Sequence, residues 1–73
     1  MPLISNSKTG WKLNRINYGK PYHVELVGPY KLPQVNDSRG TVALTNNGAV
    51  FCSSVTQANR LCALANADRL ERA

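Results

Sequence analysis

Carboxylates, histidine and cysteine are scarce in this chain, and each scarcity narrows what the protein can do. Only Glu25, Asp37, Asp68 and Glu71 are acidic among 73 residues. They are scattered, so no carboxylate dyad and no oxygen cage for a hard cation is in view. His23 is the one histidine, and Cys52 and Cys62 are the two cysteines. A structural zinc needs four ligands, and these three residues lack the paired-knuckle spacing. Cys52 closes an apolar stretch and Cys62 falls on an apolar helical stripe, so both read as small buried hydrophobes, with a disulfide as the alternative. Long hydrophobic runs are absent too. Met1–Ile4 is too short for the apolar region of a signal peptide, no stretch reaches membrane-spanning length, and the cytoplasm is the expected location, with no membrane contact. The glycines sit at separate turns, Gly28, Gly40 and Gly48 among them, and build no phosphate-cradling loop. Neither an RNP-type aromatic signature nor helix-turn-helix spacing occurs. There is no internal repeat and no low-complexity tract.

The length itself is a constraint. Seventy-three residues make a single domain, and a core of that size supplies only ~3–5 kcal/mol of net stability. Little is left to hold a strained active site. No enzymatic activity, cofactor or metal is therefore expected, and the chain is expected to be a monomer.

What is present is clearest between residues 40 and 65. Residues 41–45 and 49–52 read as two strands, joined at Asn47-Gly48, a pair that supplies both positive-φ positions of a type I′ turn. That register puts Leu44 opposite Phe51 and Asn46 opposite Ala49, with Val42, Leu44, Ala49 and Phe51 on one face. Ser54-Val55-Thr56-Gln57 has the form of a capping box, with Ser54 as N-cap and Gln57 reaching back. Val55, Ala58, Leu61, Cys62 and Ala65 then recur at helical spacing.

Earlier in the chain, Tyr22, Val24 and Leu26 alternate with His23 and Glu25, which predicts a strand over 22–27 ended by Gly28-Pro29. His23 and Glu25 share its polar face, and an exposed pair is expected there rather than an acid–base couple. Residues 30–35 contain Pro33, which has no N–H to donate, and read as an edge or extended connector. Residues 36–40 read as a solvent loop. Residues 11–18 read as a short strand with a bulge or as an irregular segment laid across the core. The fold class is α+β: a small antiparallel sheet of about three strands (22–27, 41–45 and 49–52) packed with one C-terminal helix (54–68). Residues 1–10 are expected to form a mobile arm, 11–67 the folded core, and 68–73 a tail that frays because Leu70 falls off the helical stripe.

Charge is distributed unevenly. The net charge is +5, and Lys8, Lys12, Arg15 and Lys20 precede the first acid, whereas Arg60, Arg69 and Arg72 are nearly balanced by Asp68 and Glu71. The basicity belongs to the N-terminal third, which points to an anionic partner. Lys8, Trp11, Lys12, Arg15, Tyr18 and Lys20 interleave cations with aromatics and are the candidate partner-binding residues. The competing reading places Trp11 and Tyr18 in the core and leaves the cations as solvated surface. The helix's outer face shows Thr56, Asn59, Arg60, Ala63 and Ala67, too bland for a recognition helix, so non-specific nucleic-acid contact is the form that fits.

With its basic N-terminal half running through Lys8-Thr9-Gly10-Trp11-Lys12-Leu13-Asn14-Arg15, its hairpin and its Ser54-Val55-Thr56-Gln57-Ala58-Asn59-Arg60-Leu61-Cys62 helix, the chain over its whole length resembles the small phage-encoded regulators that bind host RNA polymerase. One such antitermination protein comes from a Xanthomonas phage. The resemblance lies in size and layout. It implies binding to bacterial RNA polymerase near the amino-terminal region of the β′ subunit and the RNA exit region, in the cytoplasm of the bacterial host. It further implies transcription inhibition at initiation, by interference with sigma factor engagement, and antitermination during elongation. Two other functions remain in play from the residues alone: a small basic nucleic-acid-binding module, and a phage inhibitor of another host nucleic-acid-handling protein.

Overall fold

The computed structural model describes residues 10–73, so the expectation of an arm over 1–10 falls, save for Gly10, outside the described residues. Among the described residues the fold is an α+β arrangement of short antiparallel ladders and one helix. The order along the chain is β1 (Lys12–Leu13), β2 (His23–Val27), β3 (Leu32–Asn36), β4 (Leu44–Thr45) and α1 (Val55–Asn66).

β2 and β3 pair in antiparallel fashion, from His23 opposite Asn36 to Val27 opposite Leu32. Pro33 therefore sits in a strand of a two-stranded ladder, opposite Leu26, which is the edge position expected for it and not the connector. It is tolerated because its polar edge faces away from β2, toward Cys52, whose N–H the Pro33 carbonyl accepts at 2.8 Å, so the β2–β3 ladder loses no donor. That bond also corrects the expected second arm of the hairpin. Asn47 (φ 50) and Gly48 (φ 88) make the tight turn, and Asn46 and Ala49 exchange bonds of 2.8 and 2.9 Å across it. The ladder stops there. Residues 50–52 leave β4 for β3, so Leu44 does not face Phe51, and Phe51 is exposed while Leu44 is buried.

The stretch 41–45 is divided between two ladders. Val42 bridges Asn36 on β3, whereas Leu44 pairs with Leu13 on β1. Ala43 stands at the transfer point: its N–H donates to the Val35 carbonyl at 2.9 Å, and its own carbonyl accepts the Asn14 N–H at 2.7 Å. Its side chain is fully buried. The methyl group of alanine suits a place where two ladders converge on one residue.

α1 begins as its sequence predicts. Ser54 is extended (φ −157, ψ 162) and its side chain accepts the Gln57 N–H. Gln57 reaches back one residue further than the usual capping box, its Oε1 accepting from both the N–H and the Oγ of Ser53 at 2.7 and 2.9 Å. Ala58, Leu61 and Ala65 face the core, with Cys62 and Leu64 at its margin, while Val55 is exposed.

The last turns are ordered by hydrogen bonds, which corrects the expected fraying. Asp68 adopts a left-handed φ of 60. Its N–H donates to the Ala65 carbonyl, and the Arg69 N–H donates to the Leu64 carbonyl at 2.8 Å. These are the two bonds of a Schellman motif, with aspartate in the place more often held by glycine. The reversal carries Leu70 into the core at 5% exposure. Residues 71–73 then run alongside β1, where the Leu13 N–H donates to the Glu71 carbonyl and the Ala73 N–H to the Leu13 carbonyl. Helical spacing could not reveal Leu70, because its burial depends on the chain leaving the helix.

Candidate functional site

Trp11 and Tyr18, seven residues apart in a stretch that reads as uniformly basic and aromatic, end on opposite sides of the protein surface. Trp11 is 5% exposed and belongs to the core with Leu13, Tyr22, Val35 and Leu44. It is not available as a contact residue, so that choice is corrected. Tyr18 is 52% exposed. Lys8 lies outside the described residues. Lys12, Arg15 and Lys20 are exposed, and Lys20 is paired with Asp68 at 2.5 Å.

The segment that carries Arg15, Ile16, Tyr18 and Lys20 connects β1 to β2, and it is fastened at several points. Asn14 starts it: Nδ2 donates to the Val42 carbonyl at 2.7 Å and Oδ1 accepts from Thr45 Oγ1 at 2.9 Å. The Asn14 carbonyl accepts from Asn17 Nδ2 at 2.8 Å and from Arg72 Nη1 at 3.4 Å. Asn17 Oδ1 receives the Gly19 N–H at 2.9 Å. Gly19 has a φ of 87, a conformation in which a β-carbon is strained. The far end is held by Tyr22, whose N–H donates to Asn66 Oδ1 at 2.8 Å and whose carbonyl accepts from Asn66 Nδ2 and Cys62 Sγ.

The principal fastener is Asp37. Sequence reading places residues 36–40 in solvent, yet Asn36 and Asp37 are buried, Asp37 completely. Its Oδ1 accepts the N–H groups of Arg39 and Thr41 at 3.0 and 2.9 Å, closing its own turn. Its Oδ2 accepts the Tyr18 N–H at 2.8 Å, from 19 residues away. Burial pushes the carboxyl pKa up, but the bonds from Tyr18, Thr41 and Arg39, aided by the nearby His23, outweigh burial and hold it below its ordinary value. Ser38 adds two bonds to the same segment, N–H to the Gly19 carbonyl at 3.0 Å and Oγ to the Tyr18 carbonyl at 3.1 Å. The neighbouring Arg39 then lays its guanidinium over the Tyr18 ring, 4.8 Å from the centroid.

The resulting surface is a composite. Arg39 from the β3–β4 turn lies over Tyr18, and Arg72 from the C-terminal residues reaches the Asn14 carbonyl, so each brings a cation to the connection that exposes Arg15, Ile16 and Tyr18. Ile16 is 78% exposed. Sequence reasoning missed Arg39 and Arg72, since both join the site only through long-range contacts. The one available signal was the Asn36-Asp37-Ser38 run, whose side chains habitually bind nearby backbone N–H groups.

His23 and Glu25 form the exposed pair expected of them, with Nε2 and Oε2 3.0 Å apart. Glu25 also accepts from Asn36 Nδ2, and the bonds from His23 and Asn36 lower its pKa. Both cysteines are free thiols. Cys52 is buried and Cys62 donates to the Tyr22 carbonyl, and burial pushes both thiols up. Among the described residues no group of three or more His, Cys, Asp or Glu is placed to hold a metal ion. Nor is any described helix long and apolar enough to cross a membrane. Comparison with known proteins finds no matching protein family, no matching curated protein and no matching solved structure.

Proposed function

We propose that this chain is a phage-encoded regulator that binds bacterial RNA polymerase in the host cytoplasm, hinders sigma engagement at initiation and promotes antitermination. The observation that carries the reading is the fastened β1–β2 connection, which exposes Arg15, Ile16 and Tyr18 and holds Arg39 over the Tyr18 ring. Its position, together with the likeness in size and layout to polymerase-binding phage regulators, favours a docking role over chemistry. Exposed arginine and tyrosine on a fixed backbone are the residue types that dominate protein interfaces, and ordering them before contact lowers the entropic cost of binding. Competition with sigma requires only that the protein bind the sigma-free enzyme more tightly than the holoenzyme. The amino-terminal region of β′, beside the RNA exit region, is the proposed docking position.

The test is size-exclusion chromatography of the purified protein with nuclease-treated core polymerase, followed by addition of sigma. Stoichiometric co-elution, loss of binding in Arg15→Glu, and reduced sigma incorporation are the expected results. Absence of co-elution at moderate salt would overturn the reading.

A further inference from the structure

We infer that the surface around Tyr18 is a binding site for single-stranded nucleic acid, with the Tyr18 ring as the stacking platform and Arg39, Arg15 and Lys12 as phosphate contacts. This names a second partner for the surface that the polymerase reading also uses, so the two would compete for it, and it does not rest on that reading.

The argument begins with the backbone beneath the ring. The Tyr18 N–H is taken by Asp37, its carbonyl by Ser38 Oγ, and both polar groups of Gly19 by Asn17 and Ser38. The main chain is thus tied down while the ring projects outward and remains 52% exposed. Arg39 covers part of it at 4.8 Å. A guanidinium held against a fixed aromatic extends the surface on which a nucleobase stacks, and every base has a face that suits it.

The electrostatics favour the same ligand. The carboxylate that binds the Tyr18 backbone, Asp37, is fully buried and its oxygens are occupied by backbone N–H groups. It therefore organises the loop without offering an accessible acidic group to repel phosphate. Asp68 is engaged by Lys20. Arg39 lies against the ring, Arg15 is exposed three residues before Tyr18 on the same fastened connection, and Arg72 is held at the start of that connection by the Asn14 carbonyl. A backbone of phosphates passing Lys12, Arg15 and Arg39 meets these charges while a base reaches Tyr18.

A duplex does not fit this arrangement. Groove reading needs an element that enters the groove, and α1 carries Arg60 as its only cation, with none in its last turn. The stacking surface lies on a short connection instead, where unpaired bases can reach it.

The experiment uses the full chain and fluorescence anisotropy with 5′-fluorescein oligouridylate and oligothymidylate of equal length, titrated at several salt concentrations. Binding is expected to weaken linearly with log salt. Tyr18→Leu is expected to lower affinity about 5- to 100-fold while Tyr18→Phe retains it, because stacking needs the ring and not the hydroxyl. Arg39→Ala should lower both affinity and the salt slope. Tyr30→Ala, exposed elsewhere, should change neither, and circular dichroism confirms that each variant is folded. Tighter binding of the uridylate supports the site with 2′-hydroxyl contacts, and equal binding supports it with backbone contacts alone. No binding at low salt overturns the inference. So does competition by polyglutamate at equal charge combined with indifference to Tyr18→Leu, which assigns the surface to an acidic protein. Polymerase co-elution is measured separately after nuclease treatment, so either reading falls without the other.

Discussion

Two connections on this protein each expose a tyrosine, and they are built in opposite ways. The four residues 28–31 join β2 to β3 and leave Tyr30 84% exposed. They are closed by one backbone bond of 3.1 Å, from the Lys31 N–H to the Gly28 carbonyl, with Lys31 itself at a φ of 51. The connection from β1 to β2 is longer, and it is fastened by Asn14, Asn17, Asp37, Ser38 and Asn66. A local turn fixes where a chain reverses and leaves its side chains to solvent. A loop tied by side chains from other parts of the chain fixes where its own side chains stand. The second arrangement is what a recognition surface requires.

The comparison breaks most completely at Asp37. Asp37→Ala removes the acceptor for three backbone N–H groups at once. Its effect on thermal unfolding is expected to exceed that of every substitution below, with Tyr18 and Gly19 amides losing protection from exchange while Tyr30 is unaffected. The acid limb reports the same residue. The folded pKa lies below the ordinary 3.8, so the carboxylate's contribution is complete above that value and is lost as pH falls through the lower, folded one. Asp37→Asn should flatten that part of the stability profile relative to the unsubstituted protein, in melts taken from neutral pH downward. An unchanged profile would mean that another group governs acid unfolding.

Next in size are the apolar anchors beside the fastened loop. Trp11→Ala is expected to cost about 3–5 kcal/mol in denaturant unfolding, as a buried aromatic does, whereas Tyr18→Ala stays within about 0.5 kcal/mol. Leu70→Ala is expected to cost about 2–5 kcal/mol, although its position reads as a tail. Ser38→Ala removes one exposed side-chain bond and should cost about 1 kcal/mol, visible as faster amide exchange around Gly19. The smallest effect belongs to the other connection: Tyr30→Ala is expected within about 0.5 kcal/mol and without consequence for binding.

The parts of the fold that sequence reading found are those decided by near neighbours. The Asn47-Gly48 turn, the Ser54 cap, the Ala58–Leu61–Ala65 stripe and the alternation of Tyr22 and Val24 with His23 and Glu25 each follow from residues a few positions apart, whereas Leu26, 52% exposed, departs from the apolar face expected of it. What it missed depends on partners far along the chain. Phe51 leaves the expected hairpin because Cys52 has an acceptor on β3, and Leu70 returns to the core because Asp68 reverses the helix end. The site divided along the same line. Arg15 and Tyr18 were legible as exposed candidates, and Lys12 and Lys20 with them. Trp11 was ambiguous because an aromatic between basic residues looks alike whether it faces in or out. Arg39 was hidden behind Asp37, a residue that reads as surface and proves to be buried.

Ala43 has a consequence for how the protein opens. A two-stranded ladder in water is marginal by itself, and here two of them share one residue whose N–H belongs to one and whose carbonyl belongs to the other. Opening either ladder loosens the residue that closes the other, so the two are linked as one cooperative unit. Hydrogen exchange should then find the amides of Ala43 and Asn14, which lie in different ladders, protected to the same free energy and released together as denaturant rises.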